Sequence, residues 1–306
     1  MRWNEKRFHS LDYELKKTFG RKLAKVSLNA GMTCPNRDGR IDTKGCIFCS
    51  AGGSGDFAQN PQLSIQEQIE HAGRERLEKG KPELDYIAYF QAYTNTYAPV
   101  SRLRSLYDEA IRHPKVAVLS IATRPDCLAD EVIELLAEEN RKKPLWMELG
   151  FQTSNEATAQ FIRRGYTNAV FEQAVEKLCS HGIPVIVHII LGLPNETKKD
   201  ILNTVRYLNQ FPLSGIKLQL LHVLRDTDLA GLYGTFPILE RDEYTDLVVS
   251  ALEHMNPDFV IHRLTGDGPK ELLIAPLWSC EKIQVLNEIN RKLKLRNTWQ
   301  GKFFCL

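Results

Sequence analysis

Six apolar runs, at 25–30, 86–90, 116–121, 145–151, 184–191 and 216–221, alternate with segments of helical periodicity along most of this chain of 306 residues. They recur at roughly thirty-residue spacing, the length that a strand, a crossover helix and two short connections require. The alternation predicts a parallel sheet wound by right-handed crossovers. The runs are continuous rather than alternating, as strands covered on both faces should be. With six such units instead of eight, the expected fold is α/β, a partial (β/α)6 barrel of the TIM type. No internal repeat or low-complexity linker breaks the pattern.

The remaining segments flank this body. Residues 1–24 read as an amphipathic helical lead-in, with Phe8, Leu11, Tyr13, Leu15 and Phe19 apolar among charges and Gly20 as its stop. Residues 25–223 make the barrel. From about 224 the cadence changes: a helix over 244–253, a strand-like run at 259–264 and a last amphipathic helix over 283–295 form a C-terminal extension, residues 224–306, expected on the barrel edge or over its mouth. Polar motifs fall where the strands end, Thr94-Asn95-Thr96, Thr123-Arg124-Pro125-Asp126-Cys127, Gln152-Thr153-Ser154 and Gly192-Leu193-Pro194 among them. Barrel enzymes carry their active sites at that end.

Between the first run and the first long helix lies Cys34-Pro-Asn-Arg-Asp-Gly-Arg-Ile-Asp-Thr-Lys-Gly-Cys46-Ile-Phe-Cys49. Three thiols in so short a loop are a metal signature, and Pro35, Gly39 and Gly45 let the loop fold back to bring the sulfurs together. Three thiolates on a [4Fe–4S] cluster leave one iron open to an outside ligand. The competing readings are a zinc knuckle completed by His9 or His71 and a chance cluster of buried thiols. Cys127, Cys179, Cys280 and Cys305 show no such spacing; Cys280 is a possible late hydrogen donor and more simply a structural thiol.

The chain is 43% hydrophobic with a net charge of +2, enough for a full core and too little charge to imply a polyanionic partner. No apolar run reaches the eighteen or so residues of a membrane span, and the N-terminus lacks the apolar centre of a secretory signal. A cytoplasmic protein without membrane contact is expected, and an odd number of cysteines fits a reducing compartment. Two local basic clusters, Lys16, Lys17, Arg21, Lys22 and Lys25 before the loop and Arg291, Lys292, Lys294 and Arg296 near the end, are candidate phosphate-binding surfaces or solvated faces.

The cysteine set, with Phe48 before the last thiol, resembles that of the radical S-adenosylmethionine enzymes. Cys34-Pro-Asn-Arg-Asp-Gly, Tyr89-Phe-Gln-Ala-Tyr, Thr94-Asn-Thr, Thr123-Arg-Pro-Asp-Cys127, Glu148-Leu-Gly-Phe-Gln-Thr-Ser154, Arg164-Gly-Tyr and Gly192-Leu-Pro are similar to the bacterial YtqA/YhcC-like branch, related to the Elongator catalytic subunit. The resemblance spans nearly the whole chain. It implies that Cys34, Cys46 and Cys49 bind the [4Fe–4S] cluster and that its open iron takes S-adenosylmethionine, cleaved by one electron to a 5′-deoxyadenosyl radical. It places Thr94, Asn95 and Thr96 at the methionine amino group, Glu148 and Gln152 at ribose and methionine contacts, and Arg164 at the methionine carboxylate. Plainer readings stand beside these. Thr94 to Thr96 also read as caps of the next helix, Glu148 as the ion-pair partner of Arg124, Arg164 as a surface residue and His188 as a satisfied core histidine.

The resemblance further implies a tRNA substrate, with a carboxymethylaminomethyl group converted to aminomethyl on a 2-thiouridine at the wobble position, and a reducing partner of flavodoxin or ferredoxin type. The alternative is a non-enzymatic iron–sulfur or zinc module that binds nucleic acid or passes electrons, for which a six-unit barrel would be superfluous. Oligomeric state is not encoded in any motif.

Overall fold

The computed structural model describes residues 3–53, 55–266 and 268–305. Met1 and Arg2 of the expected lead-in lie outside the described residues. In chain order the elements are α1 (Leu11–Phe19), β1 (Leu23–Leu28), α2 (Ile65–Glu78), β2 (Asp85–Phe90), α3 (Val100–Arg112), β3 (Val116–Thr123), α4 (Asp130–Lys142), β4 (Leu145–Gln152), α5 (Glu156–Phe161) and α6 (Asn168–Ser180). There follow β5 (Val185–Leu191), α7 (Lys198–Leu208), β6 (Gly215–Leu220), β7 (Val223–Leu224), α8 (Arg241–His254), β8 (Val260–Arg263), β9 (Leu273–Ala275) and α9 (Lys282–Leu295).

One curled sheet, ordered β1-β2-β3-β4-β5-β6-β8 and parallel throughout, forms the partial barrel. It has seven strands where the cadence predicted six. The added strand, β8, comes from the run read as part of the extension; α8 is its crossover helix. The excursion through β7, which pairs antiparallel with β9, stretches this last unit past the usual spacing and hides it from a periodicity argument. The first strand also ends earlier than expected. Gln68 of α2 donates to the Asn29 carbonyl and accepts from the Asn29 amide, both at 2.9 Å, so those groups are satisfied without a strand partner.

Of the expected lead-in helix only residues 11–19 are helical, from the Ser10 cap to Gly20 at φ 69°. The segment before it runs along the outer edge of β8, where Ser10 bridges Ile261 and the Ile261 amide donates to the His9 carbonyl at 2.6 Å. That covers an otherwise open edge.

Alternation along the strands divides the sheet's two faces. Outward residues such as Val26, Leu28, Ile121, Met147, Leu149, Val187 and Leu218 pack with Leu103, Leu136, Phe171 and Leu178 of the helices in one continuous core. Burying each such side chain contributes about 1.5–3 kcal/mol. A smaller cluster, in which Leu15 of α1 meets Ile87 and Val118 with Leu23 and Trp146 alongside, joins that helix to the strands. A third, of Ile47, Ile162, Leu193, Leu221, Val223, Leu229 and Ala275, ties the cysteine loop to the ends of the strands.

Candidate active site

The cysteine loop is built from turns that its own residues impose. The Cys34 carbonyl accepts from the Arg37 and Asp38 amides, Pro35 from Ile41, and Asn36 from Gly45 at 2.7 Å. Gly45 sits at φ 78°, and a Cβ there would lie 2.8 Å from Arg37 Nε, so only glycine fits. That arginine reaches across to the Cys49 and Ser50 carbonyls at 2.8 and 2.6 Å. The Asn36 amide donates to the Arg163 carbonyl at 2.7 Å, fastening the loop to the far side of the barrel mouth.

Cys34, Cys46 and Cys49 thereby line one cavity of about 420 Å³, which continues down the inner face of the sheet past Ser27, Tyr89, Glu148, His188, Gln219 and Arg263. Among the described residues no three His, Cys, Asp or Glu side chains converge closely enough to hold a single metal ion. A zinc knuckle is not assembled: His9 bonds Glu14 at 2.8 Å and His71 bonds Gln59 at 2.7 Å. Thiols that share a cavity without converging on one point suit a cluster in which each sulfur has its own iron. Burial pushes the Cys46 thiol up to about 12 and raises that of Cys49, where Arg37 pulls the other way. Both hold their protons until a metal displaces them.

Of the other sequence-derived candidates, Thr94, Glu148, Gln152 and Arg164 line this cavity. Gln152 ends β4 at φ 66°, left-handed backbone that costs of order 1–3 kcal/mol and marks a constrained position at the mouth. Asn95 and Thr96 turn into the fold instead. Asn95 donates to the Phe90 and Ala122 carbonyls, and Thr96 bonds Thr123 and the Cys127 carbonyl, each at 2.6 Å. Neither caps the following helix, whose N-cap is Pro99. Arg164 is 1% exposed, and its guanidinium donates to the carbonyls of Phe151, Thr153 and Tyr166 and to Glu156 and Asn168. All its N–H groups shape the turn between β4 and α6. Cys280, exposed, borders a second cavity of about 600 Å³ that meets the first at Asp56, Phe57, Gly268 and Pro269.

Glu148 is the middle of a network the sequence did not reveal. It lies mid-strand, fully buried, and does not pair with Arg124, which takes Asp126 at 2.8 and 2.9 Å. One Glu148 oxygen accepts from Ser120 at 2.6 Å and faces Lys25 at 3.4 Å; the other accepts from His188 at 2.8 Å and is paired with Lys217. Burial would raise the Glu148 pKa, but Lys217, Lys25 and His188 outweigh it and hold the carboxyl well below its usual range. His188 is a satisfied histidine, yet in the cavity wall: Gln219 Nε2 lies 3.0 Å from its Nδ1, and burial beside Lys217 lowers its pKa to about 4. It is therefore neutral, with the proton on Nε2. The signal for this network was a lysine within an apolar segment, Lys217 inside its run and Lys25 at the head of its own; Lys25 falls in sequence beside other basic residues and reads as one of them.

Most residues of the two basic clusters have acidic partners. Lys16 and Lys22 pair with Asp12, Lys17 with Glu14 and Arg21 with Asp85; Arg291 pairs with Glu288, Lys292 with Asp242 and Asp246, and Arg296 with Asp246. No helix is long and apolar enough to cross a membrane among the described residues.

Comparison with known proteins accords with this geometry. The radical SAM superfamily model matches residues 34–208, and the radical SAM C-terminal domain model matches 213–295. The protein YtqA of Bacillus subtilis is 45% identical over 302 residues, covering 98% of this chain and 94% of its own. A tRNA-2-methylthio-N(6)-dimethylallyladenosine synthase of Fusobacterium nucleatum is 26% identical over 165 residues, 52% of this chain and 37% of its own. Among solved structures, the archaeal Methanocaldococcus infernus Elp3 superposes with a TM-score of 0.65 at 16% identity, over 92% of this chain and 65% of that one, a likeness of fold. The superfamily match runs from the first thiol through the four strands that follow it, and a relative nearly half identical extends the agreement to both ends; the chain belongs to the radical S-adenosylmethionine superfamily, whose enzymes work with a [4Fe–4S] cluster and S-adenosylmethionine.

Proposed function

We propose that this radical S-adenosylmethionine enzyme modifies tRNA at the wobble uridine, converting carboxymethylaminomethyl to aminomethyl on 2-thiouridine. The observation that carries the enzymatic reading is that three thiols and the polar strand ends share one deep cavity instead of a surface knuckle. The tRNA reading draws on the resemblance to the YtqA-like branch and on the similarity to a synthase whose name places its chemistry on tRNA.

In this reading Cys34, Cys46 and Cys49 hold the cluster, and Thr94 and Gln152, which face the same space, contact S-adenosylmethionine. Asn95, Thr96 and Arg164 fix the turns that present them. The cofactor pair supplies one-electron cleavage of a sulfonium to a carbon radical able to abstract hydrogen. The barrel excludes water and stray hydrogen donors. Glu148, His188 and Lys217 keep the inner wall polar and rigid, since every group in that network has its partner. A small reducing protein of flavodoxin or ferredoxin type delivers the electron.

Two measurements test this. Anaerobically reconstituted protein given dithionite and S-adenosylmethionine should release 5′-deoxyadenosine; iron and sulfide without cleavage would overturn the enzymatic reading. Nucleosides from tRNA of cells lacking the gene should accumulate the carboxymethylaminomethyl form, and an unchanged nucleoside profile would remove the tRNA assignment.

A further inference from the structure

Among the described residues, the inner end of the cavity gathers three basic side chains and one carboxylate. Lys25 and Lys217 reach one carboxylate, Glu148, whose two oxygens are already engaged by Ser120, Lys25, His188 and Lys217, while Arg263 lies close enough to Lys217 and His188 to act on both. Both lysines also lie over the ring of Tyr89, at 4.2 and 4.4 Å from its centroid, which leaves them held below the cavity surface. Arg263 differs. It sits on β8 opposite Lys217 of β6, lines the cavity, and makes no hydrogen bond or ion pair among the described residues. A guanidinium keeps its charge in any protein setting, so a cavity-facing one without an anion retains an unmet preference for one.

We propose that Arg263 is the anchor for a carboxylate of the substrate. Its planar fork can take a carboxylate through two parallel hydrogen bonds in a poorly solvated space, where the lysines behind it are already taken up by Glu148. This deepens the reading above and rests on it only in placing the acid on a uridine side chain. The carboxymethylaminomethyl group ends in such an acid; its product does not. Binding at Arg263 therefore distinguishes substrate from product. S-adenosylmethionine also carries a carboxylate, and the experiment has to separate the two.

The test uses reconstituted holoenzyme with S-adenosylmethionine bound and no reductant, titrated with 5-carboxymethylaminomethyluridine, 5-aminomethyluridine and N-methylglycine. The parent should prefer the acid over the amine by about ten-fold or more. Arg263→Gln should abolish that preference without weakening the amine, and Arg263→Lys, which keeps charge without the fork, should fall between; iron and sulfide content verifies that each variant is loaded. Unchanged acid affinity in Arg263→Gln overturns the proposal, as does a loss confined to S-adenosylmethionine affinity, which would give the arginine to the cofactor. If N-methylglycine binds in an Arg263-dependent way while neither uridine does, the carboxylate anchor stands and the tRNA reading falls. If Arg263→Gln modifies tRNA with the parent's KM, the tRNA reading stands and the anchor falls.

Discussion

The two faces of the sheet are made by neighbouring residues of the same strands and obey opposite rules. On β6, Ile216, Leu218 and Leu220 pack outward into the helices while Lys217 and Gln219 point inward; on β5, Val187, Ile189 and Leu191 face out and His188 faces in. The outer face is held by area removed from water, which no single contact dominates. The inner face is held by pairing, and its buried charges, Glu148, Lys25 and Lys217, depend on named partners, with Arg263 the exception. Stability is thus spread over one side and concentrated on the other, and substitutions should separate them.

The largest effect falls on chemistry with little cost to either face. Cys34→Ala, Cys46→Ala and Cys49→Ala should each abolish S-adenosylmethionine cleavage, while the metal-free variants keep the parent's unfolding free energy in urea to within about 1 kcal/mol, because Ile47 and its apolar neighbours tie the loop down. Residual 5′-deoxyadenosine in any one would remove that thiol from the ligand set. Next, Lys217→Ala leaves a buried carboxylate without its nearest cation and should cost about 3–5 kcal/mol by urea denaturation. Adding Glu148→Gln should recover much of that loss; a double variant as unstable as the single would show that packing, not charge, holds this wall. On the outer face Leu149→Ala should cost about 2–5 kcal/mol with no second-site rescue of that kind.

Acid should act through the inner face. His188 is neutral in the fold, with its pKa lowered to about 4 from an ordinary 6.5, so as pH falls between those values the unfolded chain takes up a proton that the folded chain refuses, and stability drops. Below the usual carboxylate range the ion pairs of Glu148 are lost as well, since a carboxyl with a depressed pKa stabilises the fold above that range and ceases to as it is protonated. His188→Gln should flatten the first part of a pH series of urea midpoints; an unchanged slope would place the titrating group elsewhere. Smallest of all, Lys16→Gln and Lys22→Gln should each change stability by less than about 1 kcal/mol, as exposed partners of Asp12 do.

Much of this was legible in the residues. The continuous runs marked where strands lie, the loop composition showed that three thiols could meet, and strand-end motifs pointed to the mouth of the barrel. The apolar runs also misled. A lysine between apolar residues reads as an interruption in a strand buried on both faces, whereas Lys25 and Lys217 are inward positions of strands whose inner face is polar. Arg164 stood in a motif, and its alternative reading as a surface residue fails because the fold buries it in the cavity wall against backbone carbonyls. The seventh strand was visible as a short run but not as a member of the sheet, since nothing local states which edge it will join.

What the sequence by itself determined is whatever depends on near neighbours: helix and strand periodicity, the caps at Ser10 and Ser64, the turns of the cysteine loop and the chemistry of its thiols. What only the tertiary structure decided is which charges share a space. Glu148 lies 123 residues from Lys25 and 69 from Lys217, and Arg263 reaches the same cavity from another strand. Electrostatic partnership depends on distance through space and on the water excluded between the groups, and in a parallel barrel those distances are set by crossovers and register, which no short stretch of chain contains.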